Sequence, residues 1–186
     1  MEKLSRFGKK AGLFEELLAR SWMTSDGDAP FEIRVRLPGS PDRYEPFNLA
    51  DVGYGVSQVL PIVADLLRED SPRVSMLQQP EVHLHPSAAA ALGTLFCDII
   101  AERRKVGRQL IVETHSDFIV DRCLRAVREG DLTPDDVSVV YFERSEGEAR
   151  IHNVRVDEKG HYQDYPPGFR RFFLDETARF LEFDES

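Results

Sequence analysis

The 186-residue sequence has no apolar run approaching the ~20 residues that cross a bilayer, which excludes a membrane-spanning helix. Its opening stretch, MEKLSRFGKKAGLFEELLAR, scatters charges where a secretory signal needs an unbroken apolar segment, so a leader is not expected. Cysteine is scarce. Cys97 and Cys123 are the only two, too few for a disulfide framework, and both sit in apolar helical context, as expected of a protein from a reducing cytoplasm. Basic residues are outnumbered 24 to 33, for a net charge of −9. That balance argues against a free-standing nucleic-acid binder and leaves room only for a local basic patch. No internal repeat is visible. What is present, 41% hydrophobic and 31% charged residues, suffices for a real core in one domain of a soluble protein.

Three stretches are expected: 1–50, an N-terminal helix, strand and connecting loop; 51–143, the core; and 144–186, a C-terminal appendage. In the first, Phe14, Leu17, Leu18 and Trp22 fall on one helical face, FEIRVRL (31–37) alternates at the period of a strand, and PGSPDRYEP (38–46) reads as a loop. In the second, a helix is predicted from about Ser57 to Arg68, with Pro61 in or just after its first turn. RVSML (73–77) then predicts a buried strand, 87–104 a helix, and QLIVE (109–113) a second buried strand. Ser116 is expected to cap a helix running to Arg128, with Gly130 as its stop. VSVVYF (137–142) predicts a third strand. Strands alternating with helices imply right-handed crossovers, so the predicted class is α/β with a mainly parallel sheet and flanking helices.

In such sheets ligands bind outside the carboxyl ends of the strands. Two strand-to-helix junctions lie there: Gln78-Gln79-Pro80-Glu81-Val82-His83-Leu84-His85-Pro86 and Glu113-Thr114-His115-Ser116-Asp117. Both carry carboxylate and imidazole where a scaffold needs neither. A third segment, Asp51-Val52-Gly53-Tyr54-Gly55-Val56-Ser57-Gln58, places two glycines and a serine at a helix start. Free N–H groups and the positive end of the helix dipole favour an anion there. Together the three segments point to a polyanion such as a nucleotide phosphate.

In this order the chain resembles the second half of ABC-type ATPases of the SMC, RecF and OLD group, in particular AAA-family proteins with a small C-terminal appendage. Gly53-Tyr54-Gly55-Val56-Ser57-Gln58 resembles the signature loop, RVSMLQQPE the Walker B strand, residues 83–87 the D-loop region, and Glu113-Thr114-His115-Ser116 the switch loop; DEKGHYQDYPPGFRRFF resembles the appendage. The resemblance implies that Gly53, Gly55, Ser57, Gln58, Gln78, Gln79 and His115 face ATP. It implies Mg²⁺ with that ATP, and a homo- or heterodimer whose partner lobe bears a Walker A loop. It also implies a cytoplasmic DNA-repair or anti-phage setting, with DNA or a nuclease in the complex.

Two departures qualify the resemblance. No G-x-x-x-x-G-K-[ST] occurs, so the loop that cradles the phosphates has no counterpart in this sequence. Gln78 and Gln79 stand where the family carries Walker B acids. Neither can act as a general base, which leaves Glu81 and Glu113, with His115, as the candidate catalytic groups. A lone copy of the chain is therefore expected not to hydrolyse ATP. Two other functions fit the same residues: a non-catalytic interaction module keeping the fold, and a metal-dependent hydrolase gathering His83, His85, Glu113 and His115 around zinc. The C-terminal Phe169, Phe172, Phe173, Phe180 and Phe183 read as core or docking surface.

Overall fold

The computed structural model describes residues 2–21, 31–41, 43–145, 147–170, 175 and 178. The chain divides into two compact units, Met1–Ala126 and Val127–Ser186. It is α/β, as the sequence predicts, although its sheets are small and not all parallel.

The first unit opens with helix α1 (Glu2–Ala11). Strands β1 (Glu16–Ser21), β2 (Phe31–Arg36) and β3 (Phe47–Asn48) follow as an antiparallel sheet in that order. Of the helix expected through Phe14, Leu17 and Leu18, the two leucines lie in strand β1 and Phe14 in the turn before it, and Trp22 lies outside the described residues. The reason is register. Leu17 pairs with Val35 across β1–β2, and both are buried, whereas Leu18, on the opposite face, is 39% exposed. Cross-strand pairing outweighs a helical spacing that only four residues supported.

Helix α2 (Tyr54–Leu67) buries Val56, Val59, Leu60, Val63 and Leu66. It begins three residues earlier than expected, so Ser57 lies in its first turn and Pro61 well inside it. At that position proline deletes the bond to the carbonyl four residues back, that of Ser57. Strand β4 (Val74–Gln78), helix α3 (Pro86–Arg103) and strand β5 (Gln109–Glu113) form one parallel crossover, with Val74 opposite Gln109 and Gln78 opposite Glu113. Arg108, itself buried, sets its start. Its guanidinium donates to the Ser71 hydroxyl at 2.7 Å, to the Pro72 carbonyl and to the Ser75 hydroxyl at 3.1 Å, and burial holds its pKa below the usual arginine value.

Neither parallel strand is fully buried, contrary to expectation. Ser75, Leu77, Leu110 and Val112 turn toward the helices, while Val74, Met76 and Ile111 on the other face are 47%, 77% and 53% exposed. Two strands packed on one side only must show their alternate residues to solvent. The core on the inner side centres on Phe14, Val35, Val59, Val63, Leu66 and Leu92.

Helix α4 (Asp117–Glu129) contains the boundary between the units, and Gly130, at φ +84°, ends it in the left-handed conformation. In the second unit β6 (Val139–Ser145), β7 (Glu148–Val156) and β8 (Tyr162–Gln163) form an antiparallel sheet. The segment predicted as a third strand of the parallel sheet is β6, and it pairs with β7 in a hairpin instead, Phe142 opposite Ile151. Gly147, at φ +88°, supplies the turn that makes this local pairing available. Phe169 is buried, edge-on to Tyr141 and Tyr162, which agrees with a core role. Phe172, Phe173, Phe180 and Phe183 lie outside the described residues.

Candidate functional site

The three segments singled out in the sequence meet at one end of the parallel pair. After Gln78 the chain turns through two left-handed residues, Gln79 at φ +43° and His83 at φ +67°. A non-glycine residue rarely takes this conformation, so both need outside support. Gln79 receives it from the neighbouring strand: its N–H donates to the Glu113 carbonyl at 2.8 Å, and its side-chain amide to Glu113 Oε1 at 3.3 Å. Glu113 is thereby engaged by a neutral amide.

Glu81 joins the two junctions. Its Oε1 accepts from the Thr114 hydroxyl at 2.7 Å and from the His115 backbone N–H at 2.9 Å, while Oε2 is buried with no hydrogen-bond partner among the described residues. Thr114 Oγ1 in turn accepts from the Ser116 N–H at 3.0 Å, which fixes the entry to α4; there the Ser116 carbonyl receives the Ile119 N–H. The His115 side chain stays exposed at the mouth of the site. Glu81 thus supports the backbone of His115 and leaves the imidazole free.

The helix-start segment packs against the same junction. Gly53 is the N-cap of α2, and Ser57, half-buried, donates its hydroxyl to the Tyr54 carbonyl at 3.1 Å. A side chain on Gly55 would stand 2.7 Å from the His83 carbonyl oxygen, so glycine is required for this approach. Tyr54 lies over His83, with ring centroids 5.8 Å apart. Gln58 and Gln78 are exposed around the same region. His85 does something simpler. It is the N-cap of α3, its Nδ1 accepting from the Ser87 N–H, and Pro86 opens the helix.

An open groove of about 700 Å³ that no sequence motif marks is lined by Glu32, Arg34, Asn48 and Ser57 among others. Glu32 Oε1 accepts from Arg34 at 3.1 Å and from Asn48 at 3.0 Å, while Arg34 also pairs with Glu45 at 2.9 Å. The available signal was Glu32 and Arg34 alternating on one face of β2. Only the pairing with β3 brings Asn48 beside them.

Among the described residues no three His, Cys, Asp or Glu side chains come together as a metal-holding group. The residues do not fit a Mg²⁺-holding, base-bearing strand end either, because Gln78 and Gln79 are uncharged and Glu113 is engaged by Gln79. What they do bring to one junction is a glycine-bearing helix start, a serine in its first turn and an exposed imidazole, groups of the kind a phosphate accepts hydrogen bonds from.

Comparison with known proteins bears on this arrangement. A family described as "AAA domain, putative AbiEii toxin, Type IV TA system" matches residues 21–121, more than half of the chain. A family of unknown function, DUF3696, matches residues 132–178. No curated protein sequence matches. Among solved structures, one described as the structural biochemistry of ATP-driven dimerization and DNA stimulated activation of SMC ATPases aligns over 100% of this chain and 95% of its own, at 13% identity and TM-score 0.51. An Smc head domain from Pyrococcus furiosus, with an extended coiled coil and bound to the C-terminal domain of ScpA, aligns over 100% of this chain at 13% identity and TM-score 0.50. This chain spans only 38% of that one. At such identities the likeness is one of fold.

Proposed function

The chain belongs to the AAA-domain family matched over residues 21–121, a family of ATPases, and on that premise we propose that it forms one face of an ATP site at a subunit interface. Residues 53–58 act as the signature loop and His115 as the switch histidine. Both close on the γ-phosphate of an ATP held by a Walker A-bearing lobe, whether that lobe belongs to another chain or to another stretch of the same protein. The observation that carries this reading is the convergence around one junction: Gly55 against the His83 carbonyl, and Glu81 on the backbone of His115.

The chemistry assigned to each residue is modest. The amides at the start of α2 and the Ser57 hydroxyl donate to phosphate oxygens. The exposed imidazole of His115 adds a donor from the other side, its backbone held by Glu81. ATP supplies the negative charge that draws these two faces onto the opposing lobe. Gln78 and Gln79 supply no base, so this chain contributes closure rather than hydrolysis. The DNA-repair or anti-phage setting, with DNA or a nuclease in the complex, belongs to the same proposal by analogy. The SMC structures of like fold, one concerning DNA stimulated activation, lend it support.

The test is assembly. The full chain co-expressed with a Walker A-bearing lobe is expected to associate more tightly with ATP than without it in analytical ultracentrifugation, and His115→Ala and Ser57→Arg each to weaken that association at least tenfold. Association indifferent to ATP and to both substitutions overturns the reading in favour of a non-catalytic interaction module.

A further inference from the structure

The two cysteines face one another across a helix pair. Cys97 on α3 and Cys123 on α4 have their sulfurs 3.7 Å apart, and both are free thiols. The contact is built into the backbone. One turn before Cys97 lies Gly93, where an added Cβ would stand 3.0 Å from both the Cα and the carbonyl oxygen of Ile119. Ile119 is in turn four residues before Cys123. The i and i+4 positions share a helix face, so Gly93–Ile119 and Cys97–Cys123 are successive rungs of one crossing. Glycine at the first rung lets the two backbones approach more closely than ordinary side chains allow, and disulfides need such an approach.

From this geometry we infer that Cys97 and Cys123 are a modification site for a peroxide-class oxidant, which converts them to an intramolecular disulfide joining α3 to α4. The roles of the two thiols are unequal. Cys123 is half-buried and Cys97 buried. The Cys97 thiol donates to the Cys123 sulfur; that bond, with burial, pushes Cys97 above the usual thiol range, and the same bond holds Cys123 below it. Cys123, the less buried sulfur, meets the oxidant: as thiolate it attacks the peroxide O–O bond, giving a sulfenic acid and a hydroxide that takes up a proton to leave as one water. Cys97 sulfur then attacks the Cys123 sulfur, the S–O bond breaks, and the leaving hydroxide takes the Cys97 proton as a second water. Two thiols and one hydrogen peroxide give one disulfide and two waters.

The linked helices are those that begin at the two junctions of the candidate site, α3 after 79–85 and α4 after 114–116. The chemistry is nevertheless independent of any nucleotide.

The reduced full-length chain is treated with a few equivalents of hydrogen peroxide, quenched, denatured, and labelled with N-ethylmaleimide for intact-mass measurement. The expected product is a monomer two mass units lighter that takes no label, and dithiothreitol restores labelling at both cysteines. Cys97→Ser is expected to stop at a dimedone-reactive sulfenic acid on Cys123, and Cys123→Ser to keep a labelled Cys97 at the same dose. Wild-type chain that still takes two labels, gains oxygen without losing two hydrogens, or crosslinks only between molecules overturns the inference. Because the wild-type mass decides the matter, a poorly folded variant does not.

Discussion

Replacing Glu81 by alanine separates a carboxylate that organises the site from one that merely lies near it. In the native chain Glu81 Oε1 accepts two bonds, from the Thr114 hydroxyl at 2.7 Å and the His115 N–H at 2.9 Å. A hydrogen bond to a charged acceptor contributes about 1.5–3 kcal/mol, so the pair taken in isolation would total about 3–6 kcal/mol. Two features reduce this figure. His115 is exposed, and water replaces the carboxylate at its N–H. The substitution also removes Oε2, a buried oxygen with no hydrogen-bond partner among the described residues, whose desolvation costs about 1–3 kcal/mol in the native state. The balance is a loss of about 2 kcal/mol, worked from these opposing terms. Glu81→Gln keeps an acceptor for both donors and is expected to lose about half as much. Urea unfolding of the full chain measures the loss as a shift in midpoint at constant m. Amide hydrogen exchange checks it at the site: the His115 N–H should exchange about 30-fold faster in Glu81→Ala, the factor that 2 kcal/mol implies. An unchanged midpoint together with unchanged exchange at His115 refutes the claim that Glu81 holds the switch segment.

Two further outcomes follow from features outside that junction. Gly93→Ala pushes a methyl group to 3.0 Å from the Ile119 backbone, so calorimetry should register a destabilisation of about 1–3 kcal/mol, and the peroxide-driven disulfide should form more slowly as the helices part. Asp157 accepts backbone N–H bonds from His161 and Lys159 that hold its carboxyl below the ordinary value of 3.8. A depressed carboxylate stabilises its turn above the unfolded value and loses that contribution as pH falls through the folded one. The amide shifts of Lys159 and His161 should therefore stay constant down to about pH 4 and move only below 3.8, and Asp157→Asn should abolish the movement. A midpoint at or above 3.8 would contradict this assignment.

The sequence carried the core of the first unit and the position of the candidate site more clearly than the edges of either. Helices α3 and α4 were legible because long runs of apolar residues repeat at helical spacing between a capping residue and a stop such as Gly130. Two of the three segments are legible because carboxylate and imidazole groups gather at strand ends, although His85 turns out to cap α3 and Glu81 to brace a backbone; the third is legible because two glycines and a serine open a helix. Phe14, Leu17 and Leu18 keep helical spacing, while the partner that makes Glu16–Ser21 a strand, Val35 opposite Leu17, lies across a sheet. The third parallel strand failed for a related reason. A short apolar run carries no direction, and β6 found its partner in β7 across a tight turn at Gly147. Glu81 was named as a candidate acid, but its engagement with the backbone of His115 depends on loop geometry that no spacing rule encodes. The groove at Ser57 depends on Asn48, brought in by a two-residue strand too short to read.

The one-sided parallel pair has a consequence for how the chain is made. Val74 meets Gln109 only after the whole of α3 has formed between them, so β4–β5 pairing pays a loop-closure entropy that the β6–β7 hairpin avoids. Until then Met76 and Ile111 are exposed beside unsatisfied strand edges, and in the finished fold that face stays open. A nascent chain with such an edge is a template for pairing with its neighbours. Yield of soluble protein should accordingly respond to temperature, to translation rate and to simultaneous synthesis of a covering lobe. Polar replacements at Met76 should raise that yield while leaving the unfolding midpoint nearly unchanged.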